Sequence, residues 1–282
     1  MARQPQHLKD FCAEELIDQL LYTHAVLKNE SDLSPHNPLI TETLTALVGN
    51  IVTAEECFSE AEKQQVLQNP AVRTIRKELL AELSEAEYEM ELYFSNRFLD
   101  NPNFTAKNLN EFWYLQNYLD LVDLELEKLP SLDPGQEVVF IGSGPLPLTA
   151  IIMAQKTGLH ITCLDMDEAA VKRGEALAEK LDMSQQLHFT QAAGSKYDYG
   201  NAALVMVASL VADKKDVLAQ IEKTSEKLPQ VALRSAEGLH ALLYDPVTSS
   251  ILDEFNMQVE KTTTPTPRVI NSTLVCRYKF RG

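Results

Sequence analysis

Hydrophobic positions in the first 130 residues recur at helical spacing. Between residues 71 and 99 the chain has no glycine or proline, and apolar residues return every three or four positions. Glycine disfavours helix interiors by about 1 kcal/mol, and a single glycine, Gly49, precedes residue 135. The pattern predicts an all-helical domain over residues 1–130. The helices predicted in this way cover residues 8–28, 38–51, 71–99 and 107–129.

From residue 136 the pattern changes, and short β-prone runs alternate with helical stretches. Strands separated by helices imply βαβ units and a parallel sheet covered on both faces. The sequence therefore predicts an α/β, Rossmann-like domain over residues 131–282, with a linker near residues 130–135. Its strands are predicted over residues 137–142, 160–165, 186–190, 203–207, 230–234 and 271–278, and its helices over 148–156, 168–181, 213–226 and 237–243.

The most informative stretch is FIGSGPLPLT, residues 140–149, where a strand ends in a turn with two glycines. Gly142 and Gly144 permit a sharp turn and the close approach of a ligand. Nucleotides bind at this first strand-to-helix crevice of a doubly wound sheet. Pro145 and Pro147 remove N–H donors that would bind a pyrophosphate, so the pattern favours a nucleoside ligand without a phosphate. The expected contacts are Gly142, Ser143, Gly144 and Pro145.

An acidic residue ends the second predicted strand. Asp165 lies 21 residues beyond Gly144, where a carboxylate accepts hydrogen bonds from ribose hydroxyls in nucleotide-binding sheets. Asp167 is the alternative for this role. A GxG turn alone is also explained by close packing, but the turn, helix, strand and terminal acid together favour an adenosyl-type ligand.

Composition and charge exclude several classes. The chain has 282 residues, 45% hydrophobic and 23% charged, which is typical of a globular protein. With 41 acidic and 25 basic residues the formal charge is −16. Such a surface disfavours binding to nucleic acid and to anionic membranes.

Targeting and metal signals are also missing from the sequence. The start lacks the apolar core of a signal peptide, and no apolar run approaches the roughly 20 residues of a membrane span, so we expect a soluble, cytoplasmic protein. The four cysteines and six histidines show no metal-ligand spacing. We therefore expect no catalytic metal.

Several motifs resemble the nicotianamine synthase family, including bacterial relatives that make opine-type metallophore precursors. GSGPLPLT is the most specific of them, and the resemblance extends from about Glu85 to the C-terminus. Upstream of that point only the general helical character matches. The motifs are GSGPLPLT (residues 142–149), NYLDLVDLE (117–125), LRSAEG (233–238) and VINSTLVCRYK (269–279).

The resemblance implies a methyltransferase-like Rossmann domain with an N-terminal helical domain. It also implies that S-adenosylmethionine is a substrate whose methyl group is not transferred. Instead an amine attacks Cγ of the methionine moiety, a 3-amino-3-carboxypropyl (2-aminobutanoate) group is transferred, and methylthioadenosine leaves. Nicotianamine synthases repeat this step, whereas the bacterial relatives add one unit to histidine.

We expect histidine as the acceptor, because the chain is compact and ends soon after its last strand. A second aminobutanoate unit, on the way to nicotianamine, is the alternative acceptor.

The reaction requires a base, because an ammonium has no lone pair with which to attack. The resemblance places a catalytic glutamate in SEAEYEMELYFS, residues 84–95. Glu87 and Glu91 are four residues apart and share a helix face, so both stay candidates, beside the alternative of a solvated glutamate face. Tyr114 matches a family tyrosine and is the third catalytic candidate, although Trp113 replaces the proline that precedes it in the family.

Substrate contacts are expected from three further residues. Tyr118 matches the tyrosine of the family's NYL motif. Arg234 and Ser235 follow a strand end, where Arg234 is suited to bind a carboxylate in a bidentate pair. A surface ion pair is the alternative for Arg234. The same choice between ligand contact and local structure stays open for Asn271 and Ser272.

Two loops are expected to line the crevice. Val207 and Ala208, at the end of the fourth predicted strand, are expected to contact the ligand through backbone groups. After the third strand the family often has an acidic residue that reads adenine, but here the chain has Ala192, Ala193 and Gly194. Backbone amides around Ala193, or the side chain of Asp198, are the candidates for this contact.

Two other functions fit part of the pattern. An ordinary small-molecule methyltransferase would release S-adenosylhomocysteine, and a non-catalytic binding module would bind the nucleoside without turnover. The sequence does not determine oligomeric state, and a homodimer is one option.

Overall fold

The computed structural model describes residues 11–133 and 135–279. Those residues form nine α-helices and seven strands. The helices are α1 (Ala13–Asn29), α2 (Pro38–Cys57), α3 (Glu60–Leu67), α4 (Pro70–Asp100), α5 (Leu115–Lys128), α6 (Leu148–Thr157), α7 (Glu168–Lys180), α8 (Lys214–Thr224) and α9 (Ser249–Glu254). The strands are β1 (Val138–Ile141), β2 (Ile161–Asp165), β3 (Leu187–Gln191), β4 (Leu204–Val207), β5 (Gln230–Ser235), β6 (Met257–Thr262) and β7 (Ser272–Tyr278). None of the described helices is both long and apolar enough to cross a membrane.

The chain divides into two compact units. Among the described residues, the first comprises 11–90 and 237–244, and the second comprises 91–133, 135–236 and 245–279. Helix α4 belongs to the first unit up to Met90 and to the second from Glu91. The domain boundary expected between residues 130 and 131 stays a prediction. In the sequence pattern it separates the helical first part from the alternating strands and helices.

The first unit is helical, with local signals that fix its helix starts. Asn37 caps α2 by accepting a hydrogen bond from the backbone N–H of Leu39, and Pro38 occupies the first helical position. In the same unit the 3₁₀ turn Gly238–Leu242 is held by the Glu55 carboxylate, which accepts a hydrogen bond from Leu239 N at 2.7 Å. The core consists of buried aliphatic side chains: Leu16, Leu20, Ile40, Leu47, Ile51 and Leu79.

The second unit is built on a seven-stranded sheet in the order β3-β2-β1-β4-β5-β7-β6. Strands β1 to β5 run parallel, while β7 is antiparallel to β5 and β6 is antiparallel to β7. All four residues of β1 and of β4 are buried, because helices cover both faces of a parallel sheet. The expected α/β, Rossmann-like fold is confirmed. Strand order reverses between β1 and β4, so the ligand crevice of such a sheet lies beyond their carboxyl ends.

Several elements differ from the sequence-based prediction. The helix expected over residues 107–129 is interrupted: a 3₁₀ turn, Ala106–Glu111, precedes α5, which begins at Leu115. The segment expected as a helix over residues 237–243 is a 3₁₀ turn. Helices α3 and α9 and strand β6 were not predicted. His7, residues 8–10 of the first predicted helix and Pro134 of the predicted linker lie outside the described residues.

Candidate active site

The glycine bend, residues 142–145, follows β1 in a conformation that requires glycine. Gly142 has φ +78° and Gly144 has φ +68°, values that residues other than glycine rarely adopt. A Cβ on Gly142 would lie 2.7 Å from Val211 Cγ2 and 3.3 Å from Ala208 Cβ. The loop after β4 therefore packs directly on this bend, while the ligand contact expected for Ala208 stays a prediction.

Asp165 joins the end of β2 to the bend. Its Oδ2 accepts a hydrogen bond from Gly144 N at 2.8 Å, and its Oδ1 accepts one from Asp167 N at 3.0 Å. Asp167 caps α7 through a bond from Ala169 N to its Oδ1 at 2.9 Å. A carboxylate has about four acceptor positions, so Asp165 retains capacity for ligand hydroxyls beside its structural bonds.

Ser143 contributes a buried hydroxyl between the two glycines. The residue is 5% exposed, and its Oγ has no hydrogen-bond partner among the described residues. Buried hydroxyls are nearly always hydrogen-bonded in native proteins. The bend therefore offers a buried polar atom suited to a ligand, while Pro145, buried beside it, provides no N–H.

Glu91 lies against the bend. A Cβ placed on Gly144 would be 2.2 Å from Glu91 Oε2, so the carboxylate occupies the space that the missing side chain leaves. Its Oε1 accepts a hydrogen bond from Tyr118 OH at 2.9 Å. Sequence reasoning had expected Tyr118 as a substrate contact, and the structure brings it to the glutamate.

Glu87, one turn earlier on α4, has a different partner. Its Oε2 accepts a hydrogen bond from Tyr244 OH at 2.9 Å, within the first compact unit. The two glutamates that the sequence leaves equivalent are therefore distinguished by their contacts. The atoms nearest to a Cβ placed on Gly144 all belong to Glu91.

Tyr114 lies at the N-terminal end of α5 in an aromatic cluster. Its ring centroid is 6.1 Å from that of Phe112 and 6.2 Å from that of Trp113. Phe112 is buried, whereas Trp113 is 49% exposed and makes an edge contact with Phe94. Phe112 also contacts Tyr118, with centroids 6.0 Å apart, so the cluster supports the tyrosine that binds Glu91. The catalytic role of Tyr114 stays a prediction.

Arg234 forms a buried ion pair rather than a surface one. Its Nε and Nη2 donate to the two carboxylate oxygens of Glu125 at 2.9 and 3.0 Å, and Nη2 also donates to Thr149 Oγ1 at 3.0 Å. Thr273 Oγ1 donates to the same carboxylate at 2.8 Å. Arg234 is 6% exposed and Glu125 is 0% exposed. The bidentate pair expected with a substrate carboxylate is made with Glu125 instead, and a substrate contact for Arg234 is a prediction that this geometry does not favour.

Ser235 is likewise engaged inside the protein. Its Oγ accepts a hydrogen bond from Val247 N at 2.9 Å, and its carbonyl accepts one from Ser272 Oγ at 3.4 Å. The side chain is 3% exposed. Its expected contact with substrate therefore stays a prediction, and the structure gives it a role in joining β5 to the loop that follows.

The loop after β4 is fixed by a lysine that the sequence reasoning missed. Val207 ends β4, and Ala208 N donates to Ile141 O at 3.0 Å. Nζ of Lys214 is buried and donates to Ser209 O and Val211 O, each at 2.8 Å. Burial lowers the pKa of Lys214 to about 8. The only sequence signal for these two hydrogen bonds is a lysine at the first position of α8.

The loop after β3 carries the residues expected to contact adenine. Ala192 N donates to Asp165 O at 2.8 Å and is engaged in that contact. Ala193 precedes the short 3₁₀ turn Gly194–Lys196. Asp198 is exposed and accepts a hydrogen bond from Gly200 N at 3.1 Å. Adenine contacts by Ala193 or Asp198 stay predictions. No group of three or more His, Cys, Asp or Glu side chains within residues 11–133 and 135–279 is placed to hold a metal ion.

Comparison with known proteins identifies the family. The family model described as nicotianamine synthase protein matches residues 9–281. The chain belongs to the nicotianamine synthase family. The match extends well upstream of Glu85, where sequence reasoning found only helical character.

Relatives of this family include transferases with two kinds of product. L-Histidine 2-aminobutanoyltransferase of Pseudomonas aeruginosa is 28% identical over 225 residues, which cover 79% of this chain and 81% of the relative. Nicotianamine synthase 2 of Arabidopsis thaliana is 33% identical over 221 residues, which cover 73% of this chain and 67% of the relative. The chain is thus a transferase, as expected from the resemblance.

Solved structures confirm the fold. The crystal structure of MtNAS in complex with MTA and tNA has a TM-score of 0.79 at 18% identity, covering 93% of this chain and 97% of that one. A glutamate-to-glutamine variant of MtNAS in complex with S-adenosylmethionine has a TM-score of 0.76 at 17% identity, with 92% and 96% coverage. The family assignment bears out the expectation that S-adenosylmethionine is the family's substrate.

The contact between Glu91 and the bend gives a first prediction. In Gly144→Ala, the new methyl group displaces the Glu91 carboxylate, and the backbone keeps an unfavourable φ. We expect the free energy of unfolding to fall by about 1–2 kcal/mol and turnover to fall by about 10²-fold, because small misplacements of reacting groups have effects of that size. Urea unfolding and steady-state kinetics measure the two effects.

Gly158→Ala is the matched control. Gly158 has φ +72°, and no atom lies within 4 Å of a Cβ placed there. This variant carries the same backbone strain without touching Glu91. Equal losses of turnover in the two variants would contradict the placement of Glu91 at the bend.

Proposed function

We propose that this protein transfers the 3-amino-3-carboxypropyl group of S-adenosylmethionine to the amino group of an amino-acid acceptor and releases methylthioadenosine. The observation that carries the proposal is the Glu91 carboxylate, which lies against Gly144 and accepts a hydrogen bond from Tyr118. A methyl transfer to an easily deprotonated acceptor does not need such a carboxylate. An attack by an amino acid does, since its ammonium must lose a proton first.

The residues of the bend fit the substrate. Gly142 and Gly144 let the bend pack closely against Val211 and Glu91, and Ser143 offers a buried hydroxyl without a partner among the described residues. Asp165 is held by the Gly144 amide at the end of β2, where nucleotide-binding sheets place the acid that binds ribose. We assign these four residues to the adenosyl moiety and to the methionine moiety beside it.

Glu91 is the proposed base. In the transfer, the acceptor nitrogen gives up a proton to Glu91 and forms a bond to Cγ of the methionine moiety. The Cγ–S bond breaks, and its electron pair stays on sulfur, so the positively charged sulfonium becomes the neutral thioether of methylthioadenosine. The Tyr118 hydroxyl fixes the orientation of the carboxylate through Oε1, and Oε2 lies at the bend.

Histidine is the proposed acceptor. The supporting observation is the alignment with the histidine transferase of Pseudomonas aeruginosa, which covers about four-fifths of both chains. Its product would be a precursor of an opine-type metallophore. The second candidate is repeated transfer between molecules of S-adenosylmethionine, supported by the 33% identity to the Arabidopsis nicotianamine synthase.

Mass spectrometry of the products separates the two candidates. The purified protein is incubated with S-adenosylmethionine, with and without isotopically labelled histidine. We expect the labelled histidine to gain the mass of one aminobutanoate unit. Products built only from S-adenosylmethionine, at the same rate in both samples, would reject histidine and favour the nicotianamine synthase reaction.

A further inference from the structure

Asn271 lies at the ligand edge of the sheet. It directly precedes β7, whose first residue, Ser272, pairs with Ser235 at the end of β5. Because β7 runs antiparallel to β5, its beginning lies where the parallel strands end. The glycine bend and the loop after β4 emerge at the same edge, which is where ligands bind in open α/β sheets.

The side chain of Asn271 is anchored to the loop after β4. Its Nδ2 lies 2.8 Å from Ser209 Oγ and donates a hydrogen bond to it. The carbonyl of Ser209 is in turn held by the buried Lys214 ammonium. Two neighbours of Ser209, Ala208 and Val211, pack against Gly142. Asn271 is therefore fixed to the same wall that contacts the glycine bend.

The other end of the Asn271 amide has no matching donor. Oδ1 is buried, and no donor among the described residues forms a hydrogen bond with it. A buried amide oxygen without a donor is unfavourable, and native proteins retain such atoms where a ligand or ordered water supplies the missing bond. In this orientation Nδ2 is anchored to Ser209, and Oδ1 is the acceptor that lies at the ligand edge.

We propose that Asn271 Oδ1 accepts a hydrogen bond from the amino group of an amino-acid moiety bound at the glycine bend. This inference rests on the proposed function, which brings two such groups to the site: the amino group of the aminocarboxypropyl arm and that of the acceptor. A neutral amide accepts from an ammonium or an amine without taking its proton. Asn271 thus positions an amino group, while Glu91 removes a proton.

The test compares two adenosyl ligands that differ in the aminocarboxypropyl arm and in the positive charge that this arm gives to sulfur. Methylthioadenosine lacks the aminocarboxypropyl group that S-adenosylmethionine carries, so a contact with the arm affects one ligand and not the other. Calorimetric Kd values for both ligands, and the KM for histidine, are measured on the wild-type protein and on Asn271→Leu and Asn271→Asp. Leucine removes both polar atoms at similar size, whereas aspartate keeps an acceptor oxygen.

We expect Asn271→Leu to raise either the Kd for S-adenosylmethionine or the KM for histidine by about tenfold. This is the size of a lost hydrogen bond to a charged group. A higher Kd for S-adenosylmethionine with an unchanged KM for histidine assigns the contact to the arm, and the reverse result assigns it to the acceptor. Methylthioadenosine affinity should stay within about twofold, and Asn271→Asp should recover most of the loss. Ser209→Ala, which removes only the anchor, should have a smaller effect than Asn271→Leu.

Three results would overturn the inference. They are no change in either constant for Asn271→Leu, an equal loss of methylthioadenosine affinity, or a larger loss in Asn271→Asp than in Asn271→Leu. The outcome is separable from that of the proposed function. A wild-type protein that binds S-adenosylmethionine but transfers its methyl group would reject the function, and the comparison of the two adenosyl ligands would still decide the role of Asn271.

Discussion

Replacing Glu91 with glutamine will lower turnover by about 10²–10⁴-fold, the usual contribution of a positioned base, and will leave the affinity for S-adenosylmethionine nearly unchanged. Glutamine has almost the same shape, and its carbonyl oxygen still accepts the hydrogen bond that Tyr118 OH donates to Glu91. It cannot take a proton from the acceptor ammonium. Single-turnover kinetics and calorimetric binding measure the two quantities separately.

Glu87→Gln is the matched control, since it makes the same chemical change one turn earlier on α4. Its carboxylate accepts a hydrogen bond from Tyr244 OH within the first compact unit, and we expect turnover within about threefold of wild type. If Glu87→Gln abolishes turnover and Glu91→Gln does not, the base is Glu87. If neither variant slows turnover, the assignment of the base to this helix is wrong.

Arg234→Met will lower the free energy of unfolding by about 3–5 kcal/mol, because it leaves a buried carboxylate without its cation. Glu125 is 0% exposed, and Arg234 provides two of the hydrogen bonds to it. Removing both charges together is far less costly than removing one. The double variant Glu125→Leu with Arg234→Met should therefore be clearly more stable than the single variant.

Urea unfolding followed by the fluorescence of Trp113, the one tryptophan of the sequence, measures these changes. Trp113 lies in the same compact unit as the ion pair. A loss below 1 kcal/mol in Arg234→Met, or equal losses in the single and double variants, would contradict the role assigned to the pair. The pair also connects α5, which carries Tyr118, to β5, so a loss of turnover should accompany the loss of stability.

The sheet was predictable from sequence because burial dictates its pattern. Strands β1 and β4 are buried along their whole length, and such strands read as continuous apolar runs. Strand β6 was missed because it is an edge strand with a single buried residue, Met257. The break before α5 was missed because it contains no glycine or proline: it follows from packing of the aromatic residues around Phe112.

The site was predictable only where its parts are close in sequence or fall at a fixed spacing. The glycine bend and Asp165 belong to one strand–helix–strand unit, and their hydrogen bond follows from its geometry. The pairing of Glu91 with Tyr118 joins residues 27 positions apart, and that of Arg234 with Glu125 joins residues 109 apart. Each of these four residues could be singled out from the sequence or lay in one of the family motifs. Which of them pairs with which is decided by tertiary packing. For that reason Arg234 was expected to bind a substrate carboxylate rather than Glu125.

The nucleoside product is the most direct measure of the central claim, which is that the amino-acid arm of S-adenosylmethionine is transferred and not its methyl group. The purified protein is incubated with S-adenosylmethionine and a pool of amino acids that includes histidine, and the adenosyl products are separated and quantified by chromatography. The account predicts methylthioadenosine in amounts equal to the aminobutanoate groups transferred. S-adenosylhomocysteine as the main product would contradict it.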